Sequence, residues 1–198
     1  MILGITGGTG CGKTTLLNAI EALGGVTLDC DEIYHNLLAR DNALQNALRD
    51  AFPQAFADGT LDQKKLGGIV FSDPDALRQL NGITHGAVKR EVLARLRVKP
   101  SLAAIDAIAL FESGLASLCD ATIAVTAPRE DRIRRLMARD GITAEYAAAR
   151  IDAQHPDSWF LERCDYCLEN WKDKAFFQEE CSALLLRILS EENRRKKK

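Results

Sequence analysis

Residues 4–15 read Gly-Ile-Thr-Gly-Gly-Thr-Gly-Cys-Gly-Lys-Thr-Thr. Glycine costs conformational entropy, so a run of it directly before a helical pattern marks a backbone that turns sharply or is closely approached. Gly7, Gly12, Lys13 and Thr14 stand at the spacing Gly-x-x-x-x-Gly-Lys-Thr of the phosphate-binding P-loop. The context agrees: a strand signal at Ile2–Thr6 precedes the loop, and an amphipathic helix pattern from Gly12 to Leu23 follows it. In such a loop the backbone N–H groups curl around a phosphate that a Cβ would obstruct, and the helix N-terminus adds partial positive charge. The nucleotide-contacting candidates are therefore Gly8, Thr9, Gly10, Cys11, Gly12, Lys13, Thr14 and Thr15. Lys13 has the length to reach β- and γ-oxygens, and the Thr14 hydroxyl is the candidate Mg²⁺ ligand. The bland alternative is a glycine turn with no ligand.

Outward from the loop, short apolar runs alternate with helical patterns. Strands are predicted at Ile2–Thr6, Val26–Asp29, Leu102–Ile108, Thr122–Thr126 and Tyr166–Glu169, without clean polar alternation, as in a parallel sheet covered on both faces. Helices are predicted from Gly12 to Leu23, Pro128 to about Asp140 and Asp173 to Leu189, with Pro128 as a first helical residue and Thr143 as the N-cap of a further short helix. The alternation predicts an α/β fold, a doubly wound five-stranded parallel sheet. From Asp31 to Leu96 no strand is convincing. Segments such as 41–52, 72–80 and 85–96 carry helix signals, so about 32–97 reads as a helical insertion within a single domain. The polar, arginine-bearing stretch 137–156 lies between two strands and reads as a mobile lid, about 139–158.

Bulk properties bound the partners. In 198 residues, Lys and Arg number 26 against 28 Asp and Glu, giving a formal charge of −2, which argues against a general nucleic-acid binder. No apolar run approaches the length of a membrane span, and no secretory leader is read at the N-terminus. Six cysteines in such a chain read as reduced thiols of a cytoplasmic protein rather than a disulfide framework. The lone Cys164-x-x-Cys167 pair lacks the second pair a zinc site needs, and Cys167 is expected to pack inside a strand. The basic tail 194–198 reads as a solvated terminus, and the protein as a monomer or weak homo-oligomer.

A P-loop specifies a nucleotide, not the fate of its phosphate. A kinase passes the γ-phosphoryl group to a second substrate; a switch or motor passes it to water. No aspartate here has a glycine three residues on, and the guanine-reading Asn-Lys-x-Asp is absent, so the kinase class is favoured. A kinase needs a carboxylate for its acceptor hydroxyl, and segment 27–35 offers Asp29 and Asp31 just beyond the second strand, where either can instead serve as a helix N-cap. If Asp29 ends the strand, Asp31 opens the helix and can project into the crevice. Asp106 and Glu112, at the end of the third strand, are further candidates for the magnesium or acceptor side. Charge on the migrating group calls for arginine, and Arg132, Arg135 and Arg139 fall on one side of a helix. Arg139, at the mouth of the lid, is the candidate transition-state contact.

Taken in order, these segments resemble the dephospho-CoA kinase family from Ile2 to about Asn170. Residues 4–14 look like its nucleotide loop, 29–35 its Asp-x-Asp segment, 71–85 its helical CoA-binding region, 110–113 the end of its third strand, 137–142 the start of its lid and 164–170 its fifth strand. The resemblance implies transfer from ATP, with Mg²⁺, to the 3′-hydroxyl of dephospho-CoA. It implies Asp31 as base or orienting carboxylate, Arg139 as lid arginine and Asn170 beside the adenine. Acceptor-side roles are implied for Asp31, Glu112 and His85, the last with a buried structural histidine as its alternative. The chain departs from the family pattern at Gln63, often arginine, at Gly86, usually proline, at Ile108, and at Phe160, often lysine.

Overall fold

The computed structural model describes residues 1–195; Lys196–Lys198 of the basic tail lie outside the described residues. Strand β1 (Ile2–Thr6) leads through the glycine loop into α1 (Lys13–Ala22), and β2 (Val26–Asp29) into α2 (Cys30–Arg40) and α3 (Asn42–Ala51). A hairpin of β3 (Phe56–Ala57) and β4 (Thr60–Leu61) precedes α4 (Gln63–Ser72) and α5 (Pro74–Leu96). Then come β5 (Ala103–Asp106), β6 (Ala121–Thr126), α6 (Arg129–Asp140), α7 (Ala144–Asp152), α8 (Asp157–Leu161), β7 (Tyr166–Glu169) and α9 (Lys174–Arg195).

The main sheet is parallel, in the order β2-β5-β1-β6-β7. The chain winds first to one side of β1 and then to the other, so the loop leaving β1 stands at the switch point where such sheets bind ligands. The central strands are buried almost without interruption, β6 over its whole length, whereas the edge strands β2 and β7 have exposed positions. Cys167 lies on that edge strand and is exposed, not packed inside as expected. Helices α1 and α9 close one face, with Leu16, Ile20, Phe177 and Leu185 packed on Leu3, Ile5 and Ile123.

Two aspartates set the register of the β1-β6-β7 half. Asp120, immediately before β6, accepts from the Ile2 N–H at the start of β1 at 2.6 Å. Asp165, immediately before β7, accepts from both the N–H and the hydroxyl of Thr122 on β6, each at 2.8 Å. Its own N–H donates back to the Thr122 hydroxyl at 3.1 Å. Each strand thus grips the first residues of its neighbour, and a one-residue slip would break the grip and turn the buried faces outward.

The chain divides into two compact units: Met1–Leu28 with the segment from Pro100 onward, and Asp29–Lys99. Within the second, aspartate side chains open each of the four α-helices. Asp29, Asp41, Asp62 and Asp73 each accept from two backbone N–H groups of the turn that follows, at α2, α3, α4 and α5. Leu44, Leu48, Phe52 and Leu66 form the centre of this unit's core. Segments 41–52, 72–80 and 85–96 are helical as predicted, but the expectation of no strand between Asp31 and Leu96 fails at the β3–β4 hairpin. Asp58 and Gly59 turn it with φ of 50° and 79°, the Asp-Gly geometry of a tight hairpin. Other boundaries shift slightly. The third sheet strand stops at Asp106, two residues short of the expected end, because the chain leaves in turns after the Ala107 N–H bonds Ile5 O. Pro128 has extended backbone (ψ 137°) and caps α6 rather than opening it.

Replacing Asp165 by Ala strands the Thr122 N–H, whose residue is only 7% exposed. The expected loss is about 1–3 kcal/mol, read as a lower urea midpoint with unchanged slope. Asp165→Asn keeps an acceptor oxygen and should lose less.

Candidate active site

The loop between β1 and α1 is held from behind. Arg132 Nε donates to Thr9 O at 2.9 Å, Arg135 Nη1 to Gly10 O at 3.2 Å and to Cys11 O at 3.3 Å, and Asn170 Nδ2 to Cys11 O at 3.0 Å. All peptide bonds among the described residues are trans. In a trans peptide the C=O and the following N–H point in opposite directions. Tying back three successive carbonyls therefore turns the N–H groups of Gly10 and Gly12 to the open side, while that of Cys11 makes a long turn bond of 3.4 Å to Gly8 O. The result is a concave row of partial positive charge that suits a phosphate. Lys13 Nζ arches back over the loop to Gly7 O at 3.0 Å.

The glycines answer this packing directly. Gly7 (φ 130°) has no room for a Cβ because Val125 O of β6 is there, and Gly12 (φ 104°) none because of the Asn170 amide. A Cβ on Gly8 would meet the Arg132 guanidinium. So glycine is demanded by what packs behind the loop, and the phosphate side is free as a consequence. Cys11 contributes backbone only: its side chain is 1% exposed in the core, and burial raises its thiol pKa against the pull of Lys13. Thr14 and Thr15 follow on the first turn of α1, with Thr14 exposed.

Arg132, Arg135 and Arg139 do share one side of α6, but they divide their work. Arg132 is 5% exposed; besides Thr9 O it meets Gln154 Oε1 and Asp157 Oδ1, each at 3.2 Å. Gln154 Oε1 in turn accepts the Thr9 N–H at 2.8 Å. Arg139 instead clasps its neighbour Asp140 through Nε and Nη2, at 2.6 and 3.0 Å, and Arg150 of α7 joins the same carboxylate at 2.7 Å. These bonds, that of Arg139 first, hold the Asp140 pKa down to about 2 and raise that of Arg139. With a depressed carboxyl pKa the pairing is complete above the ordinary value near 4 and is lost only as pH falls through about 2. The segment expected as a lid is largely α7, seated on α6 through Ile133, Leu136, Ala147 and Ile151, with Thr143 as its N-cap.

The other candidates divide between the units. Asp29 ends β2 and caps α2, accepting from Asp31 N and Glu32 N at 2.8 and 3.0 Å. Asp31 is left in the first helical turn with its residue exposed, and His85 lies half-buried on α5; both belong to Asp29–Lys99. Glu112, in the sheet-bearing unit, pairs with His155 Nε2 at 3.0 Å, and His155 stacks on Trp159 with ring centroids 4.0 Å apart. Phe160 is fully buried, edge-on to Trp159. Sequence reasoning passed over Gln154, Asp157 and His155, which carry no motif; the spacing of Arg132 from Arg135 was the one available sign.

A family model described as dephospho-CoA kinase matches residues 1–175. A dephospho-CoA kinase of Thermus thermophilus is 37% identical over 171 residues, covering 86% of this chain and 83% of its own. That of Lactobacillus acidophilus is 31% identical over 196 residues, 96% of this chain and 98% of its own. Among solved structures, a Thermus thermophilus protein superposes with a TM-score of 0.82 at 35% identity, over 96% of this chain and 97% of that one. A dephospho-CoA kinase from Campylobacter jejuni gives 0.66 at 26% identity, over 94% and 96%. Shikimate kinase from Acinetobacter baumannii, at 18% identity and a TM-score of 0.56, shares the fold. With an intact nucleotide loop and a family match over most of its length, the chain belongs to the dephospho-CoA kinase family.

Proposed function

We propose that the chain transfers the γ-phosphoryl group of ATP to the 3′-hydroxyl of dephospho-CoA in the cytoplasm, giving CoA and ADP. The observation that carries this reading is the family match over residues 1–175, around a loop whose carbonyls are tied back by Arg132, Arg135 and Asn170.

The residue roles follow from chemistry. The amides of Gly10 and Gly12 and the N-terminus of α1 take the phosphates, and Lys13 exchanges its bond to Gly7 O for the β- and γ-oxygens. Asn170, fixed on Cys11 O, borders the adenine. The exposed Thr14 hydroxyl is a hard oxygen donor of the kind Mg²⁺ takes alongside phosphate oxygens and water. Bound there with ATP, the ion neutralises charge on the β- and γ-oxygens. Asp31 accepts or orients the acceptor hydroxyl proton, with Asp29 committed to the helix cap. Arg139 leaves Asp140 for the migrating group and Arg150 keeps the carboxylate paired, so the exchange strands no charge. Glu112 and His85 serve the acceptor side. Shutting water out of the nucleotide site keeps the kinase from spending ATP on hydrolysis.

The deciding assay is ADP release from ATP and Mg²⁺ with and without dephospho-CoA, with CoA sought by mass. A strong rise and a matching CoA mass are expected. Stimulation by adenosine or nucleotides alone would keep the kinase and discard the acceptor, and hydrolysis indifferent to any acceptor would return the switch class. Asp31→Asn should bind ATP as before while transfer falls by about 10²–10⁴; unchanged turnover would remove Asp31 from the chemistry.

A further inference from the structure

We propose that Arg132 and Gln154 are positioning residues for nucleotide binding: together they clamp both sides of Thr9 and bolt the exit of the α6–α7 segment onto the nucleotide loop. The inference rests on the kinase reading only in taking ATP as the loop's ligand.

All three guanidinium nitrogens of Arg132 are spent on protein: Nε on Thr9 O, Nη1 on Asp157 and Nη2 on Gln154 Oε1. Its side chain is buried, and the missing Cβ of Gly8 is what lets the guanidinium lie against the loop. A residue so occupied does not reach a phosphate; it fixes the group that does. Gln154 completes the clamp from the other direction, its one oxygen accepting from Thr9 N–H and from Arg132. Thr9 is thus gripped at both N–H and C=O. Its N–H is turned to Gln154 rather than to a ligand, so the phosphate-facing amides begin at Gly10, and Thr9 contributes position rather than contact.

The partners on the far side give the clamp a second consequence. Gln154 follows α7 by two residues and Asp157 opens α8. Through Arg132 the exit of the lid segment and the nucleotide loop form one hydrogen-bonded body. The entrance to that segment, at Gly141 (φ 65°), carries the exposed pairs among Arg139, Asp140 and Arg150 beside the apolar packing of Ile142 and Ala144. The clamp thus anchors this segment at its exit. Loosening the clamp should weaken nucleotide binding without touching the acceptor.

The test is calorimetry of ATP with Mg²⁺, alongside steady-state KM for ATP and dephospho-CoA, on Arg132→Ala, Arg132→Lys, Gln154→Met and Arg132→Ala with Gln154→Met. Expected is a rise of about tenfold in ATP Kd for Arg132→Ala, because the loop amides lose their placement. Lysine, reaching one of three acceptors, should rescue little. The double variant should be no worse than about twofold beyond Arg132→Ala, since both side chains act on one peptide. The KM for dephospho-CoA should stay near wild type, so that the loss of affinity falls on ATP alone. Asp165→Ala is the control: comparably destabilised, yet with unchanged ATP Kd. An unaltered ATP Kd in Arg132→Ala, an equal shift in Asp165→Ala, or both KM values rising together would overturn the proposal. So would a collapse of kcat at constant Kd, which would place Arg132 on the reacting phosphoryl group. If the wild type binds ATP but makes no CoA, the acceptor reading fails alone, and the ATP arm still decides the clamp.

Discussion

The constraint on which the rest depends is the tying back of three consecutive carbonyls, those of Thr9, Gly10 and Cys11. A peptide group has two polar ends, and fixing one aims the other. The anion site is therefore built from the side away from the anion, by donors on α6 and at the end of β7. This explains why so polar a helix as α6 has a buried arginine and a half-buried one: Arg132 and Arg135 cover carbonyls that would otherwise be unsatisfied beneath the loop. It also explains the glycines, whose missing Cβ atoms make room for an arginine, an amide and a strand carbonyl.

Much of this was legible in the sequence because local patterns and tertiary demands coincide. The Gly-Lys-Thr spacing needs a strand before it and a helix after it, and both had their own signals. β1, β2 and β7 match their predicted limits, since each is a short apolar run with turn residues on both sides. What stayed hidden depends on partners far along the chain. Gln154 and Asp157 look like any polar residues of a helix–loop stretch until Arg132 is beside them. The aspartates before β6 and β7 read as loop residues, yet they set the strand register. The β3–β4 hairpin is a different kind of miss: its Asp58-Gly59 turn is a local signal, outweighed by strands only two residues long.

Charge is deployed in two manners. In the helices of Asp29–Lys99 aspartates are spent at N-termini, where they satisfy orphan amides and face the positive end of the helix dipole. Around α6 and α7 they are spent on arginines: Asp157 on Arg132, and Asp140 on both Arg139 and Arg150. The first arrangement stabilises fixed ends. The second holds guanidinium groups in paired form, two of them on the single carboxylate of Asp140.

The sequence separation of the loop's supports has a consequence for biosynthesis. The glycine loop leaves a ribosome well before its supports do: Arg132 lies 123 residues from Thr9, and Asn170 lies 159 residues from Cys11. At about 5–20 residues per second, the loop waits on the order of ten seconds or more for its last donor. Until Arg132 is made, the glycine-rich backbone has none of these donors. Until Asn170 has been made, a nascent chain therefore lacks the full set of donors that tie the loop back.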